Sequence, residues 1–378
     1  MYFWIFSIIT VLVFFVFGTF MVRKDEKGEY VYPYTRLAIF PALIYAVLLG
    51  VRWEWATDYH HYTDVYVMGD ILLHTFEPLF QLLINTMHLM DLPAWFSFIV
   101  YAFVFMWGYL MVMRDHREVI WLALPLLYCY STGMISNLVR FYMAVGFIYM
   151  AIPYISRNKW IPATLLIAAA FFMHYAMILV IPFFIGLRWI NPFRWKWLNI
   201  SLLLLSATLT PKRLGWMFYG ILRGVDMTIG RLEPRLAVYL QPDVLKHFFI
   251  NGITDEFGYS KLSLASYLIM ALASIWYGYL LVQENSGNRP LVYLYRLCVL
   301  GFILFIPCSG LELLVRVYAP FGVLTIIMVA YTIHNLWRRE GLAPNWLPFI
   351  VTGASLHFVL NYLRTLGMDF DLLYIWER

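Results

Sequence analysis

A short segment, residues 52–62, concentrates side chains that can bind anions or transfer protons. It reads Arg-Trp-Glu-Trp-Ala-Thr-Asp-Tyr-His-His-Tyr and directly follows a long apolar run. Charged groups at the end of a membrane span cost free energy unless polar groups meet them there. We therefore interpret this segment as one wall of a site at a membrane face. We expect three distant residues, Arg140, His174 and Arg316, to converge on it.

Ionisable side chains recur near the ends of spans that we assign to the outer face. They are Arg52, Asp58, Glu77, Arg140, His174, Glu312 and Arg316. Each costs at least about 2.5–3.5 kcal/mol to bury in a bilayer, so a cluster at one face implies a shared cavity. Because a guanidinium donates two parallel hydrogen bonds to phosphate oxygens, three arginines there would suit a lipid-linked diphosphate.

Each of these residues also has a purely structural interpretation. Arg52 could reach lipid headgroups, Asp58 could pair with it, and Glu77 could cap the helix that follows. Arg140 could belong to a structural hydrogen-bond network, and His174 could be a buried core histidine. These alternatives stay open at the level of the sequence.

Two further patterns bear on the chemistry. Glu312 and Arg316 are four residues apart with the acid first, the favourable order for an ion pair on a helix. The histidines at 60, 61, 74 and 88 match no zinc-ligand spacing, so we expect neither a metal nor another cofactor.

Composition indicates an integral membrane protein. Hydrophobic residues make up 62% of the chain and charged residues 13%, against about half and a quarter in soluble domains. The alternating pattern of barrel strands is absent, so helices must span the bilayer. We predict an all-α, polytopic helical bundle that forms one transmembrane domain, residues 1–378, with about twelve spans. The net charge of +5 fits the positive-inside bias and does not indicate nucleic-acid binding.

Charge also predicts the topology of the N-terminal half. The first span, 2–22, is followed by basic residues at 23, 24 and 27, which places the N-terminus outside. Residues 76–90 are too few for a crossing and carry Glu77, Gln81, Asn85 and His88 at helical spacing. We therefore predict that 52–93 is an extracytoplasmic segment with an interfacial helix.

Two later segments depart from simple alternation of spans. Residues 161–187 are apolar but have basic loops at both ends, so we expect two short helices that go in and return. His174 would lie at their turn, on the outer side. Residues 211–260 are polar and contain three prolines, so we predict an extracytoplasmic loop with short helices.

At these residues the chain resembles the EpsG family, the Wzy-like polysaccharide polymerases. Residues 52–62 resemble a family segment that contains Arg, Thr-Asp-Tyr and a second Tyr. Residues 77–85 resemble a helix that begins with Glu, and 135–144 a segment centred on Arg. Residues 170–176 are similar to a Phe-His motif, and 316–318 fall where the family has a late arginine and tyrosine. The elements occur in family order.

The resemblance implies a glycosyltransferase of GT-C-like architecture. Such an enzyme joins oligosaccharide repeat units carried on undecaprenyl diphosphate at the periplasmic face of the bacterial inner membrane, for O-antigen, capsule or exopolysaccharide. It needs no nucleotide sugar and no metal. The implied partners are the lipid-linked glycan, the bilayer and, as a further candidate, a chain-length regulator protein.

Site roles follow from that reaction as hypotheses. Arg140 and Arg316 would bind the donor diphosphate, with Arg52 assisting. The catalytic base would be Asp58 or His174, since a neutral histidine is well matched to the working pH. Three more residues would bind the acceptor glycan, namely Tyr59, Tyr62 and Glu77.

Two other classes of protein remain as alternatives. A lipid-linked oligosaccharide flippase or transporter would spread its polar groups through the depth of the bundle. A membrane acyltransferase with a catalytic histidine would need access to acyl-CoA from the cytoplasm. The concentration of polar residues at the outer ends of spans favours the polymerase over both.

Overall fold

The computed structural model describes residues 2–53, 58–68, 76–209, 213–217, 261–309, 312–338, 343–368 and 373–374. The helices of these ranges are α1 (Tyr2–Val22), α2 (Tyr34–Gly50), α3 (Asp58–Met68), α4 (Pro78–Leu89), α5 (Ala94–Met113), α6 (Ile120–Asn137), α7 (Val139–Ser156), α8 (Trp160–Met173), α9 (Ile181–Trp189), α10 (Lys196–Thr208), α11 (Lys261–Glu284), α12 (Arg289–Cys308), α13 (Glu312–Arg338) and α14 (Leu347–Met368). Two short 3-10 turns, Arg114–Val119 and Tyr175–Leu179, join helices. The two-residue strands β1 (Arg52–Trp53) and β2 (Leu373–Tyr374) pair antiparallel.

The chain is an all-α, multi-pass membrane protein, as predicted. Within the described residues, six helical stretches are long and apolar enough to cross a bilayer, and four shorter apolar helices accompany them. One of the six, Ala94–Gly133, contains both α5 and most of α6, separated by a 3-10 turn with a non-helical residue at His116. The total of about twelve crossings stays a prediction.

Helices α8 and α9 form a pair that leaves one end of the bundle and returns to it, as the basic loops at both ends of residues 161–187 predict. The rings of Trp160 and Trp189, at its two ends, stack with centroids 4.9 Å apart. Arg188 in α9 donates a hydrogen bond from Nε to the Ile155 carbonyl at the end of α7, 3.2 Å away. The helical backbone breaks at His174, which has extended φ and ψ angles. His174 therefore lies far from the end where the tryptophans meet.

Basic residues hold several loops together at that tryptophan end. Arg157, just after α7, forms an ion pair with Asp115 in the turn between α5 and α6. Arg117, in the same turn, donates hydrogen bonds to the carbonyls of Met21 and Tyr32, which flank the loop after α1. The loops after α1, α5 and α7 thus meet at one end of the bundle, which we call the basic end.

Two glycines bring α5 and α7 into direct backbone contact. A Cβ atom on Gly108 would lie 2.2 Å from the Gly146 carbonyl oxygen, and one on Gly146 would lie 2.6 Å from that of Val104. Small residues allow membrane helices to approach this closely. Because Arg140 lies at the start of α7, this crossing fixes its position against α5.

Buried tyrosines add hydrogen bonds between helices. Tyr34 in α2 donates to the Leu110 carbonyl in α5 at 2.6 Å, and Tyr149 in α7 donates to the Pro320 carbonyl in α13 at 2.6 Å. A backbone carbonyl has two lone pairs and can accept such a bond beside its helical one, and these bonds are favourable away from water. The bundle therefore combines apolar packing with specific polar links.

The segment 52–93, which we predict to be extracytoplasmic, is described in part. Helix α4 spans 12 residues and buries Phe80, Ile84 and Met87, while Leu82 and Leu89 are exposed. Residues 76–90 thus contain a short helix with one buried face, and its position at the membrane interface stays a prediction. The predicted loop at 211–260 lies outside the described residues, apart from a helical turn at 213–217.

Candidate active site

Glu77 is the centre of a buried polar cluster. It precedes α4, whose first residue is Pro78, and its side chain is only 7% exposed. Its carboxylate makes no capping hydrogen bond to α4. Instead Oε2 accepts from Nη1 of Arg140, and Oε1 accepts from the Tyr175 backbone N–H at 3.0 Å. The carboxylate therefore links two helix ends that are far apart in sequence.

Arg140 is held on several sides. It lies one residue into α7, after a break in helical geometry at Leu138, and its side chain is 13% exposed. Its Nε atom lies 3.4 Å from the Tyr62 hydroxyl. The guanidinium also lies over the rings of Phe76 and Phe80, 4.7 and 5.3 Å from their centroids, where cation–π attraction stabilises the charge. These contacts fix the guanidinium in one orientation.

His174 lies beside this pair, at the break between α8 and the 3-10 turn. Its Nδ1 accepts a hydrogen bond from the Ala176 backbone N–H at 3.2 Å and lies 4.0 Å from Oε1 of Glu77. Burial first, and then the positive charges of Arg140 and Arg316, lower the pKa of His174 well below its usual range. The imidazole is therefore neutral. With Nδ1 accepting, its proton resides on Nε2.

Arg316, near the start of α13, is partly buried and adds a second cationic charge to the cluster. Its positive charge is one of the causes that lower the pKa of His174. Contacts bring Arg140 together with Tyr62 of the predicted 52–62 wall, and bring Glu77 together with Arg140 and His174. The part that each plays in a reaction stays a prediction.

The two predicted sugar-binding tyrosines are packed inside the protein. Tyr59 is 3% exposed and stacks on Phe98, with ring centroids 5.0 Å apart. Tyr62 is also buried, with its ring edge against Phe80 and its hydroxyl towards Arg140. In this structure Tyr62 supports Arg140, and glycan stacking by either ring stays a prediction.

Three predicted residues have described backbones but side chains outside the described part of the structure. Arg52 lies in β1 opposite Tyr374, Asp58 is the first residue of α3, and Glu312 is the first residue of α13. Helix α3 also carries Tyr62, which contacts Arg140. The backbone of Asp58 therefore starts the helix that forms one wall of the cluster.

Sequence reasoning did not identify several groups that shape the cluster. Phe76 and Phe80 flank Glu77 and lie against Arg140, and Phe141 packs edge-on against His174 at 5.6 Å. The aromatic residues on either side of Glu77 were a usable signal for a cation-binding surface. The sequence gives no signal for the Tyr175 N–H, because any backbone N–H near a helix break could equally well be the donor to Glu77.

Chemically, this arrangement offers charge stabilisation more than proton transfer. The Arg140 guanidinium is paired with one carboxylate beside a neutral His174, and the positive charge of Arg316 also acts on that histidine. Preorganised donors of this kind stabilise negative charge that develops in a water-poor site. The fold and the cluster together define a multi-pass membrane protein with a buried polar site at the ends of its helices.

Comparison with known proteins agrees with this description. The model of the EpsG family matches residues 35–363, most of the chain and all of the cluster. The chain therefore belongs to the EpsG family of Wzy-like polymerases, which gives it a role like that of a polysaccharide polymerase, a glycosyltransferase activity in the general sense. No curated protein and no solved structure matches the chain.

Proposed function

We propose that this protein joins glycan repeat units carried on undecaprenyl diphosphate, at the outer face of a bacterial inner membrane. Family membership supports a polymerase, and the lipid diphosphate is our inference from the cationic cluster. The observation that carries the proposal is the buried guanidinium of Arg140, which Glu77 orients beside His174 within reach of the charge of Arg316.

The reaction divides into one bond broken and one bond formed. An acceptor hydroxyl on the new repeat unit attacks the anomeric carbon that links the growing chain to its lipid diphosphate. The new glycosidic bond forms, and the bond between carbon and phosphate oxygen breaks with its electron pair going to the diphosphate. Arg140 and Arg316 stabilise the negative charge that develops there, and Arg52 assists from the neighbouring segment.

His174 contributes as a hydrogen-bond donor in this scheme. Its Nδ1 already accepts the Ala176 N–H, so the neutral ring presents Nε2–H and not a lone pair. The group that takes the proton from the acceptor hydroxyl is then the other candidate, the Asp58 carboxylate at the start of α3. Glu77, Tyr59 and Tyr62 would form the wall that receives the acceptor glycan.

The side of the membrane follows from the positive-inside rule. Arg114, Arg117 and Arg157 lie at the basic end, which we assign to the cytoplasm. Arg140 and Ile155 lie at opposite ends of α7, about 22 Å apart along the helix axis. The cluster around Arg140 therefore opens at the other face, the periplasmic one. There the bilayer, the lipid-linked glycan and a chain-length regulator protein would be its partners, with no nucleic acid involved.

The proposed leaving-group chemistry needs no metal or cofactor, because arginine donors supply the positive charge. The test is to measure polymerised glycan in a deletion strain carrying Arg140→Gln, His174→Asn or Asp58→Asn, each at wild-type protein level. We expect Arg140→Gln and Asp58→Asn to lose at least about a hundredfold in polymer, the usual size of a lost electrostatic or general-base contribution.

Arg194→Gln is a matched control, because Arg194 is exposed at the basic end and lies over Trp195. It should leave the polymer unchanged. Near-wild-type polymer in all three site variants would refute the mechanism. Lipid carrying a single repeat unit should accumulate outside when the gene is deleted, whereas a flippase would leave no outward-facing units.

A further inference from the structure

A small cavity at the basic end, far from the candidate active site, has no role in the proposed reaction. Its volume is about 140 Å³, and its lining residues are Arg188, Ser286, Arg289, Val292, Tyr293 and Arg296. Three of these are arginines. The cavity therefore gathers positive charge at a place that donor and acceptor glycans do not reach.

Helix geometry places the arginines together. Arg289, Tyr293 and Arg296 are separated by four and three residues in α12, so they project from one face of that helix. Arg188 faces them from the last turn of α9. Arg296 donates from Nη1 to the carbonyls of Leu187 and Arg188, at 2.9 and 3.2 Å, and Arg188 donates from Nε to Ile155. Backbone carbonyls thus hold two of the guanidinium groups in place.

The positive charge in this cavity is not balanced by carboxylates. In the part of the chain that the structure describes, none of the three arginines has a carboxylate oxygen within 4.0 Å. The buried Nε of Arg296 also has no hydrogen-bond acceptor there. A buried donor without an acceptor costs about 1–3 kcal/mol, and more when it is charged. A water molecule could satisfy the donor, but only an anion also offsets the repulsion between the guanidinium groups.

We propose that this cavity binds the oxyanion of a phosphate group. Planar guanidinium groups match phosphate oxygens in geometry, and the Ser286 hydroxyl offers a further donor. The volume suits one phosphate group, because pockets for drug-sized ligands measure about 300–1,000 Å³. Such a group could belong to the headgroup of an anionic lipid or to free phosphate. Trp189 next to Arg188 is 63% exposed, and tryptophan prefers the headgroup level of a bilayer.

The experiment measures binding to the full-length protein in a neutral detergent. Native mass spectrometry would count bound short-chain phosphatidylglycerol, with short-chain phosphatidylcholine and inorganic phosphate in separate arms. The variant is Arg289→Glu, since Arg289 is exposed and its replacement leaves the carbonyl contacts of Arg188 and Arg296 intact. The control is Arg194→Glu, the same change of charge at an exposed arginine outside the cavity.

We expect Arg289→Glu to weaken phosphatidylglycerol or phosphate binding about tenfold or more, as the loss of a charge-assisted contact implies, with Arg194→Glu within about twofold of wild type. Binding of phosphatidylglycerol well above both other ligands would identify a lipid headgroup, and equal binding of inorganic phosphate would identify free phosphate. An equal loss in the two variants, or no anion binding to wild type, would overturn the proposal. Arg289→Gln should give a smaller loss of the same kind.

Discussion

Glu77 and Arg140 form a buried ion pair whose two members come from different parts of the chain. Glu77 is 7% exposed and Arg140 13%, so neither charge is well solvated without the other. Removing one member of such a pair commonly costs about 3–5 kcal/mol, because the remaining charge is left buried. The pair therefore contributes to the arrangement of α4 against α7 as well as to the chemistry of the site.

A double-mutant cycle tests that coupling. Glu77→Gln and Arg140→Gln should each lower the free energy of unfolding, and the double variant should lose less than the sum by about 1–3 kcal/mol. The measurement is unfolding of the full-length protein by titration with a denaturing detergent, followed by circular dichroism. Strict additivity of the two changes would show that the contact has no energetic weight.

The neutral state of His174 predicts a pH dependence. Since the folded protein holds the pKa of this group well below about 6.5, its value in an unfolded chain, the unfolded state binds a proton that the folded state does not. Stability should be complete above pH 6.5 and fall as the pH drops below it. His174→Asn, whose amide oxygen can still accept the Ala176 N–H, lacks this titration.

Unfolding at pH 7.5 and at pH 5 is compared for wild type and His174→Asn. On acidification, the free energy of unfolding of wild type should fall by about 1–2 kcal/mol more than that of His174→Asn. The reason is that a proton bound only in the unfolded state lowers this free energy by up to about 1.4 kcal/mol per pH unit. Equal losses would mean that His174 titrates normally in the folded protein. Because other groups titrate in both proteins, only the difference between them is informative.

The packing of helices against one another positions the site. Helix α7 carries Arg140 at one end and crosses α5 at Gly108 and Gly146 with no room for a side chain. The pair of α8 and α9 returns to the basic end, so its break delivers His174 and the Tyr175 N–H to Glu77. A short helix pair that reaches from the basic end to the cluster and back is therefore the element that completes the cluster.

Gly146→Ala tests the crossing of α5 and α7. The new Cβ would meet the Val104 carbonyl at 2.6 Å, and a backbone atom cannot move aside as a flexible side chain can. We expect a loss of about 1–3 kcal/mol in stability, the usual cost of overpacking, with reduced glycan polymer. Gly186→Ala is the control, because nothing lies within 4 Å of its Cβ position.

The control should be neutral, or slightly stabilising because alanine favours a helix over glycine. Thermal unfolding and yield of folded protein would be compared for the two variants in the same detergent. If both substitutions had the same effect, the contact between α5 and α7 would not depend on small residues at this crossing.

For the whole molecule, the two polar regions lie at opposite ends of the bundle. The cluster at Arg140 and the arginine cavity at Arg296 are separated along α7 by most of a bilayer thickness. We propose from the charge asymmetry that the basic end faces the cytoplasm. The three cysteines, at 129, 298 and 308, are buried, which gives a low background for labelling added cysteines.

Accessibility of two added cysteines tests this topology. Met90→Cys lies at the end of α4, where the native side chain is 64% exposed, and Asn285→Cys lies in the loop between α11 and α12. In whole cells a membrane-impermeant maleimide should label the first and not the second. Inverted vesicles should give the opposite result. Labelling of both from one side would contradict the assigned orientation.

Much of the fold could be predicted because membrane insertion leaves a strong compositional signal. Long apolar runs and basic loops indicated the helices, the return of the chain between 161 and 187, and the convergence of Arg140, His174 and Glu77. The amphipathic spacing of residues 76–90 indicated α4. These features depend on local sequence and on the bilayer, which impose the same rules on every chain.

Partner choice within the site could not be predicted, since it depends on how helices meet. A carboxylate before a proline-initiated helix usually suggests a cap, yet Glu77 turns to Arg140 and the Tyr175 N–H. Tyr59 looks available for stacking on sugars, yet it packs against Phe98. The contact of Gly108 with Gly146 joins helices with no shared motif, so only the packed structure shows it.

The Glu77 carboxylate gives the site an anion of its own, and this bears on turnover. Under the proposed mechanism, a donor diphosphate at Arg140 would compete with that carboxylate, and the competition would weaken binding of the donor. The same competition helps after the transfer, because Glu77 can return to the guanidinium as the spent lipid carrier departs. In the proposed reaction, an internal counter-ion would thus lower the affinity for the donor and speed product release, which suits an enzyme that repeats its reaction many times on one growing polymer.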